Sequence, residues 1–341
     1  VNTGRRRPGS RGAALSPRGV GGLILILAGV GVMILGALWL APGPKARGGA
    51  EATTVMLDRG VRLPQMADRL KAAGVIRSKL AFMLMAKLGG GSLKAGEYAF
   101  KSRENLAGVV GDLKAGRVVR HFVTIPEGWT SAMAAEAVNS SPVLTGQAPA
   151  PPEGTLLPET YEVRRGDDRA KVIERMHDAQ AALLADLWPK RRPDLPFKTP
   201  EEAVTLASIV EKETGVAAER PRIAAVFVNR LKSGMRLESD PTVIYGVAKA
   251  PSLGRAITIT DLATPTPYNT YQIAGLPPTP IANPGKAAIA AVLNPPVTTE
   301  LFFVADGTGG HVFASSFAEH QKNVAHWRQV EKQRAAQGTG K

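Results

Sequence analysis

Thr199-Pro200-Glu201-Glu202-Ala203-Val204-Thr205-Leu206-Ala207-Ser208-Ile209-Val210-Glu211-Lys212-Glu213-Thr214-Gly215 is the stretch from which the rest of the chain is read. Thr199 is a good N-cap, Pro200 suits the first helical position, and Glu202 stands three residues after the cap, which together make a capping box. Val204, Leu206, Ala207, Ile209 and Val210 carry an apolar run onward, and Gly215 supplies a stop. The spacing predicts one largely apolar helix with two carboxylates, Glu211 and Glu213, in its last turn. An acid at a helix end is usually a solvated surface group. Glu211, however, follows directly on the apolar run, where partial desolvation and the negative end of the helix dipole both favour the protonated carboxyl. A general acid for a glycosidic oxygen needs such a group. Glu213, two residues on, points about 200° away and reads as a structural neighbour, a partner for Arg230 or Lys212. Spacing alone leaves Glu211 one acid among 29.

Downstream, a second helix is predicted after Pro221, with Ile223, Val226, Phe227 and Leu231 on one face and Gly234 at its end. Segments 240–246, 268–271 and 275–278 read as loops. Residues 301–305 and 311–314 flank Asp306-Gly307-Thr308-Gly309-Gly310, a hairpin signal, and Ser316 with Glu319 opens a final charged helix. Upstream, 118–125 is a strand leading into Pro126-Glu127-Gly128-Trp129. A Pro-, Ser-, Ala- and Gly-rich loop follows at 140–154, then an extended stretch at 154–163 and a helix at 171–187. Earlier still the pattern is βααβ. It has a strand at 52–57, a helix carrying Leu63, Met66, Ala67 and Leu70, a second helix at 80–88 capped by Ser78, and a strand at 96–100. A short helix at 105–114 ends at Gly116. A compact βααβ unit resembles LysM-type glycan-binding modules.

The chain has 341 residues, 44% hydrophobic, enough for a membrane segment and two modest domains. Its charge of +14 would fit nucleic acid, but seven positive residues (Arg5, Arg6, Arg7, Arg11, Arg18, Lys45 and Arg47) fall in the first 50, where no acid occurs. Aromatics are only 5%, too few for a base-stacking surface, so nucleic acid is set aside as a partner. No residue from 19 to 44 is charged, and 23–40 is nearly all aliphatic or glycine, the length of a single membrane span. A cleaved signal peptide would normally have a shorter apolar core. Arginines before the span place the N-terminus in the cytoplasm and everything from about residue 45 outside, as expected for a single-pass protein of the bacterial cytoplasmic membrane. There is no cysteine, which excludes disulfides and thiolate chemistry. His311, His320 and His326 lack a zinc spacing, and neither a P-loop nor a Gly-x-Ser-x-Gly elbow is present, so no metal or cofactor is expected.

Several motifs together carry a resemblance. They are Ser208-Ile209-Val210-Glu211-Lys212-Glu213-Thr214, Val226-Phe227-Val228-Asn229-Arg230-Leu231, and the run from Met235 through Asp240-Pro241-Thr242-Val243-Ile244-Tyr245-Gly246. Tyr268-Asn269-Thr270-Tyr271, Gly275-Leu276-Pro277-Pro278, Asn283-Pro284-Gly285 and Phe303-Val304-Ala305-Asp306 continue it in order. In these the chain resembles endolytic murein transglycosylases of the MltG/YceG type. One segment departs: Glu153-Gly154-Thr155-Leu156-Leu157-Pro158-Glu159-Thr160-Tyr161 lacks two aromatics of the family pattern and has Glu for Asp. The resemblance implies non-hydrolytic cleavage of MurNAc-β-1,4-GlcNAc bonds within peptidoglycan strands, leaving 1,6-anhydro-MurNAc ends. It makes Glu211 the one catalytic carboxylate, because the sugar's own C6 hydroxyl is the nucleophile, whereas a hydrolytic glycosidase usually needs two acids. Asp240, Tyr245, Tyr268, Asn269 and Tyr271 are candidates to line the glycan groove, with loop and core packing or a turn as the competing reading. Asn229 and Arg230 are candidates to buttress the Glu211 helix. The family also implies work beside cell-wall synthases such as penicillin-binding proteins.

The expected fold is α+β. It comprises a basic cytoplasmic tail (1–18), a transmembrane helix (19–41), a linker (42–50), a LysM-like βααβ subdomain (51–117) and an α+β catalytic domain (118–337). A membrane-tethered glycan-binding scaffold without activity and a water-using muramidase are the alternatives.

Overall fold

A computed structural model describes residues 17–336 and 338, and the side chains of 17–24, 35 and 38 in the first helix lie outside that description. Most of the expected basic tail falls outside it too. The chain is α+β and divides after Val119 into two compact units.

The first unit begins with α1 (Pro17–Leu40), on which Leu25, Ile26, Leu27, Val32, Met33 and Ile34 stand exposed. The span expected at 19–41 falls on this helix, part of which lies outside the described side chains. Among the described residues no helix is long and apolar enough to cross a membrane. Strand β1 (Ala52–Leu57) is followed by α2 (Leu63–Ala72), α3 (Lys79–Leu88), β2 (Gly96–Lys101) and α4 (Leu106–Ala115). β1 and β2 pair antiparallel from Ala52↔Lys101 to Leu57↔Gly96. Period-two alternation turns Val55 and Leu57 of β1 and Tyr98 and Phe100 of β2 onto a core shared with Leu70, Phe82, Val109 and Leu113. The Ser78 hydroxyl caps α3 by accepting from the Ala81 amide at 3.3 Å.

In the second unit, β3 (His121–Thr124) pairs antiparallel with β4 (Thr160–Val163), and between them lies α5 (Ser131–Asn139). The helix α6 (Arg169–Leu187) follows, and Ile125, Leu156, Val163, Val172 and Met176 close a small core over this hairpin. The larger core is helical. It is built by α7 (Pro200–Glu213), α8 (Arg220–Lys232) and, after α9 (Asp240–Ala248) and α10 (Ile259–Ala263), by α11 (Lys286–Leu293). A hairpin of β5 (Phe302–Ala305) and β6 (His311–Ala314) leads into α12 (Phe317–Ala336).

The capping box at Thr199 and Glu202 forms as the spacing predicts, with Glu202 N–H to Thr199 Oγ1 and Thr199 N–H to Glu202 Oε2 both at 3.2 Å. Eight consecutive residues of α7, Ala203 to Val210, are buried. A helix apolar on every face must be enclosed by its neighbours, and α8, α9 and α11 all pack on it. Segment 240–246, expected as loop, is helical, and 286–293, to which the sequence assigned no element, forms α11. Pro241 sits in the first turn of α9, where a missing amide costs nothing, rather than in a turn.

Candidate active site

Where α7 leaves the core, burial gives way to a cluster of polar side chains, and Glu211 stands at that edge with its side chain only 5% exposed. One carboxylate oxygen accepts from Arg220 Nη2 at 3.2 Å and the other from the Gly285 amide at 2.9 Å. Arg220 is the first residue of α8 and is itself buried. Both charges sit at the wrong helix ends: an anion near a C-terminus and a cation at an N-terminus are each disfavoured by the dipole. Each is tolerated because the other is there. Both contacts are hydrogen-bond donors, so each oxygen of the carboxylate has a partner.

The segment that delivers Gly285 is stitched in place residue by residue. Ser208 is fully buried on α7, and its hydroxyl accepts from the Ile281 amide at 3.0 Å. Two residues on, the fully buried Asn283 joins three strands of backbone. It exchanges hydrogen bonds with Trp129 and Gly128, and its side-chain oxygen accepts from the Leu156 amide at 3.0 Å. Gly128 adopts a left-handed φ of 75°, which a side chain would strain, and its Cα faces Glu211 and Lys212. This turn carries Glu127 to the same guanidinium, 3.8 Å from Arg220 Nη2. Glu127 remains 45% exposed, so it is the open member of the pair. Burial, and after it the charge of Glu211, push its carboxyl above the ordinary range against the pull of Arg220.

The other residues singled out from the sequence divide into two groups. Glu213 points away from Glu211 as its spacing predicts. Its partner is the Ser239 hydroxyl, however, rather than an ion pair with Arg230 or Lys212. Burial pushes the Glu213 carboxyl up to about 7, with Ser239 opposing and the charge of Asp240 adding to the rise. Asn229 donates to the carbonyls of Thr298 and Glu300, both at 3.0 Å. Arg230 donates to those of Leu301 and Leu237, both at 2.7 Å. These two therefore brace the 298–301 segment and the approach to α9, not the Glu211 helix directly.

Asn269 is fully buried, and its amide is occupied by the carbonyls of Leu262 at 3.0 Å and Thr264 at 2.7 Å. Tyr245 is buried as well, edge-on to Tyr268 at 5.0 Å, with its hydroxyl on Glu153 at 3.3 Å. Asp240 opens α9 and accepts from the Tyr271 hydroxyl at 2.7 Å. Tyr268 donates to or accepts from Thr279 at 2.8 Å, with the Lys249 ammonium 3.4 Å from its ring centroid. Asp240, Tyr268 and Tyr271 keep partly accessible surface, whereas Asn269 and Tyr245 shape the loop and core beneath them.

The YceG-like family matches residues 55–326, four-fifths of the sequence and all of the site just described. This chain belongs to the YceG-like family. An endolytic murein transglycosylase of Bacillus subtilis (strain 168) is 28% identical to this YceG-like chain, over 82% of it and 86% of that protein. One from Streptococcus pneumoniae (strain D39) is 29% identical over 80% of it, and there the match spans 58% of the relative. Among solved structures, a YceG-like protein of Listeria monocytogenes is 29% identical. It covers 80% of this chain and 99% of its own, with a TM-score of 0.49.

Proposed function

We propose that this YceG-like protein is an endolytic murein transglycosylase that cleaves MurNAc-β-1,4-GlcNAc bonds within glycan strands. The observation that carries the reading is Glu211, a carboxyl withdrawn from solvent at the exit of an enclosed helix and gripped on both oxygens. In its acid form Glu211 gives a proton to the GlcNAc O4 as the C1–O4 bond breaks. As carboxylate it accepts the proton of the MurNAc C6 hydroxyl as O6 bonds to C1. Proton and electron pairs balance without water, and the product ends in 1,6-anhydro-MurNAc. Arg220 and the Gly285 amide stabilise the carboxylate stage, a fixed electrostatic contribution of the kind that dominates many active sites. Tyr268, Tyr271 and Asp240, which keep accessible surface, are the sugar contacts of this reading.

The names borne by the relatives support this reading, as does the match across the whole site. The βααβ unit serves as a glycan-holding module and α1 as a single-pass anchor with the site on the outer face of the membrane, beside the synthases that make the strands. Glu127 places a second carboxyl next to Glu211, an arrangement that a water-using glycosidase would also employ. Product analysis separates the two. The full-length protein in detergent is incubated with peptidoglycan and the fragments are weighed by mass spectrometry. Anhydro ends, lighter by one water, are expected; reducing ends would mean hydrolysis, and no cleavage would mean a binding scaffold.

A further inference from the structure

Arg220 offers one positive charge to two carboxylates, and the surrounding geometry treats those two unequally. Glu211 has a donor on each oxygen. Glu127 has only the longer approach to Arg220 and, among the described residues, no hydrogen-bond donor. Its position is nonetheless built. The Gly128 amide donates to the Asn283 carbonyl at 2.9 Å, which locks the turn, and Glu127 packs so closely on Gly285 that a Cβ there would fall 1.8 Å from Glu127 Oε1. Thus the residue whose amide binds Glu211 is the residue whose α-carbon supports Glu127.

We propose that Glu127 is a positioning residue of the reaction: it shares one proton with Glu211 across Arg220, and so supplies Glu211 in its acid form. This rests on the transglycosylase reading above. With both acids ionised the site would hold a net negative charge around one cation. The two carboxylates lie 3.8 and 3.2 Å from the same Arg220 Nη2, so the charge of each opposes ionisation of the other. The direction in which the Glu127 carboxyl is displaced agrees. The groups facing Glu127 are Glu211 from α7, Arg220 from α8, and Glu159 from the segment before β4, with Lys212 against the neighbouring Gly128. In the cycle the shared proton passes through Glu211 to O4 as C1–O4 breaks. The proton that O6 loses as C1–O6 forms returns to the pair. No co-reactant is required, and the site ends as it began.

Two measurements on the full-length protein test this. Carbon-13 titration of the glutamate carboxyls reads the pairing without any substrate: the Glu127 midpoint is expected to fall by about one pH unit in Glu211→Gln. An unmoved midpoint overturns the proposal. The second is the pH profile of anhydro-product release. With Glu127→Gln the alkaline limb is expected to move about one unit toward acid, since Glu211 no longer has an anionic neighbour. Glu127→Asp, which retains an ionisable group, is expected to keep most of the wild-type limb. A uniform loss at all pH values with the limb in place would indicate a purely structural role and also overturns it. If the wild type yields no anhydro product, the transglycosylase reading falls while the titration still decides the pairing.

Discussion

Glu211 and Gly285 make opposite demands on a substitution. Glu211→Gln keeps shape and removes the proton, so activity is expected to fall by ~10²–10⁴-fold or more. The thermal transition is expected to fall too, because Arg220 loses the buried carboxylate that offsets it. Product release measured beside a melting curve checks both. Gly285 has an ordinary backbone φ of −74°, and its requirement is steric, set by the Glu127 carboxylate pressed on its α-carbon. Gly285→Ala is therefore expected to displace the half-exposed Glu127 side chain and reduce turnover at little cost in stability, read by the same product assay beside urea denaturation. At this scale the sequence was legible where chemistry is local. Glu211 stands out by its place after an apolar run and by its motif. Arg220 and Glu127 do not, and Asn283 stands out only as part of its Asn-Pro-Gly motif, because what makes them part of the site is contact across as many as 154 residues. The one local signal was a charge at the wrong helix end, visible at Arg220 once Pro221 marks the start of α8.

The helix α7 forms for reasons that are all in its own sequence, and its location in the middle of the fold follows from its uninterrupted apolar surface. Removing its cap with Thr199→Ala is expected to lower stability by about 1 kcal/mol without touching the site, visible as a shifted urea midpoint at unchanged specific activity. Helices α9 and α11 were hidden for different reasons. Asp240-Pro241-Thr242 has the composition of a turn, and only the burial of Thr242 and Val243 behind it shows that the proline begins a helix. Lys286 to Leu293 is rich in alanine with no side-chain cap, so its start is set by the glycine that serves Glu211. The strands are shorter than their β-rich stretches: β3 retains four residues of the eight at 118–125 because its partner β4 is only four long. Sequence pattern locates elements with strong termini and loses those whose ends are fixed by tertiary contact.

For the molecule as a whole, Glu213 links folding to pH. An acid raised from 4.5 to about 7 in the fold contributes stability that is fully present below pH 4.5 and is lost as pH rises through about 7. Melting temperature is therefore expected to decline across that window, and the decline to be smaller in Glu213→Gln, with Ser239, Asp240, His311 and Arg230 left in place. The stitching around Asn283 also bears on when function arises during synthesis. Segments 126–129, 211–220 and 281–285 are far apart along the chain, so the site is a high-contact-order structure that closes late and slowly. A nascent chain, or one truncated before residue 281, contains Glu211 but neither Gly285 nor the hub that fixes Glu127. Assembly of the site therefore waits on a segment made 74 residues after Glu211, so no shorter piece of the second unit holds the Glu211 carboxylate as the folded protein does.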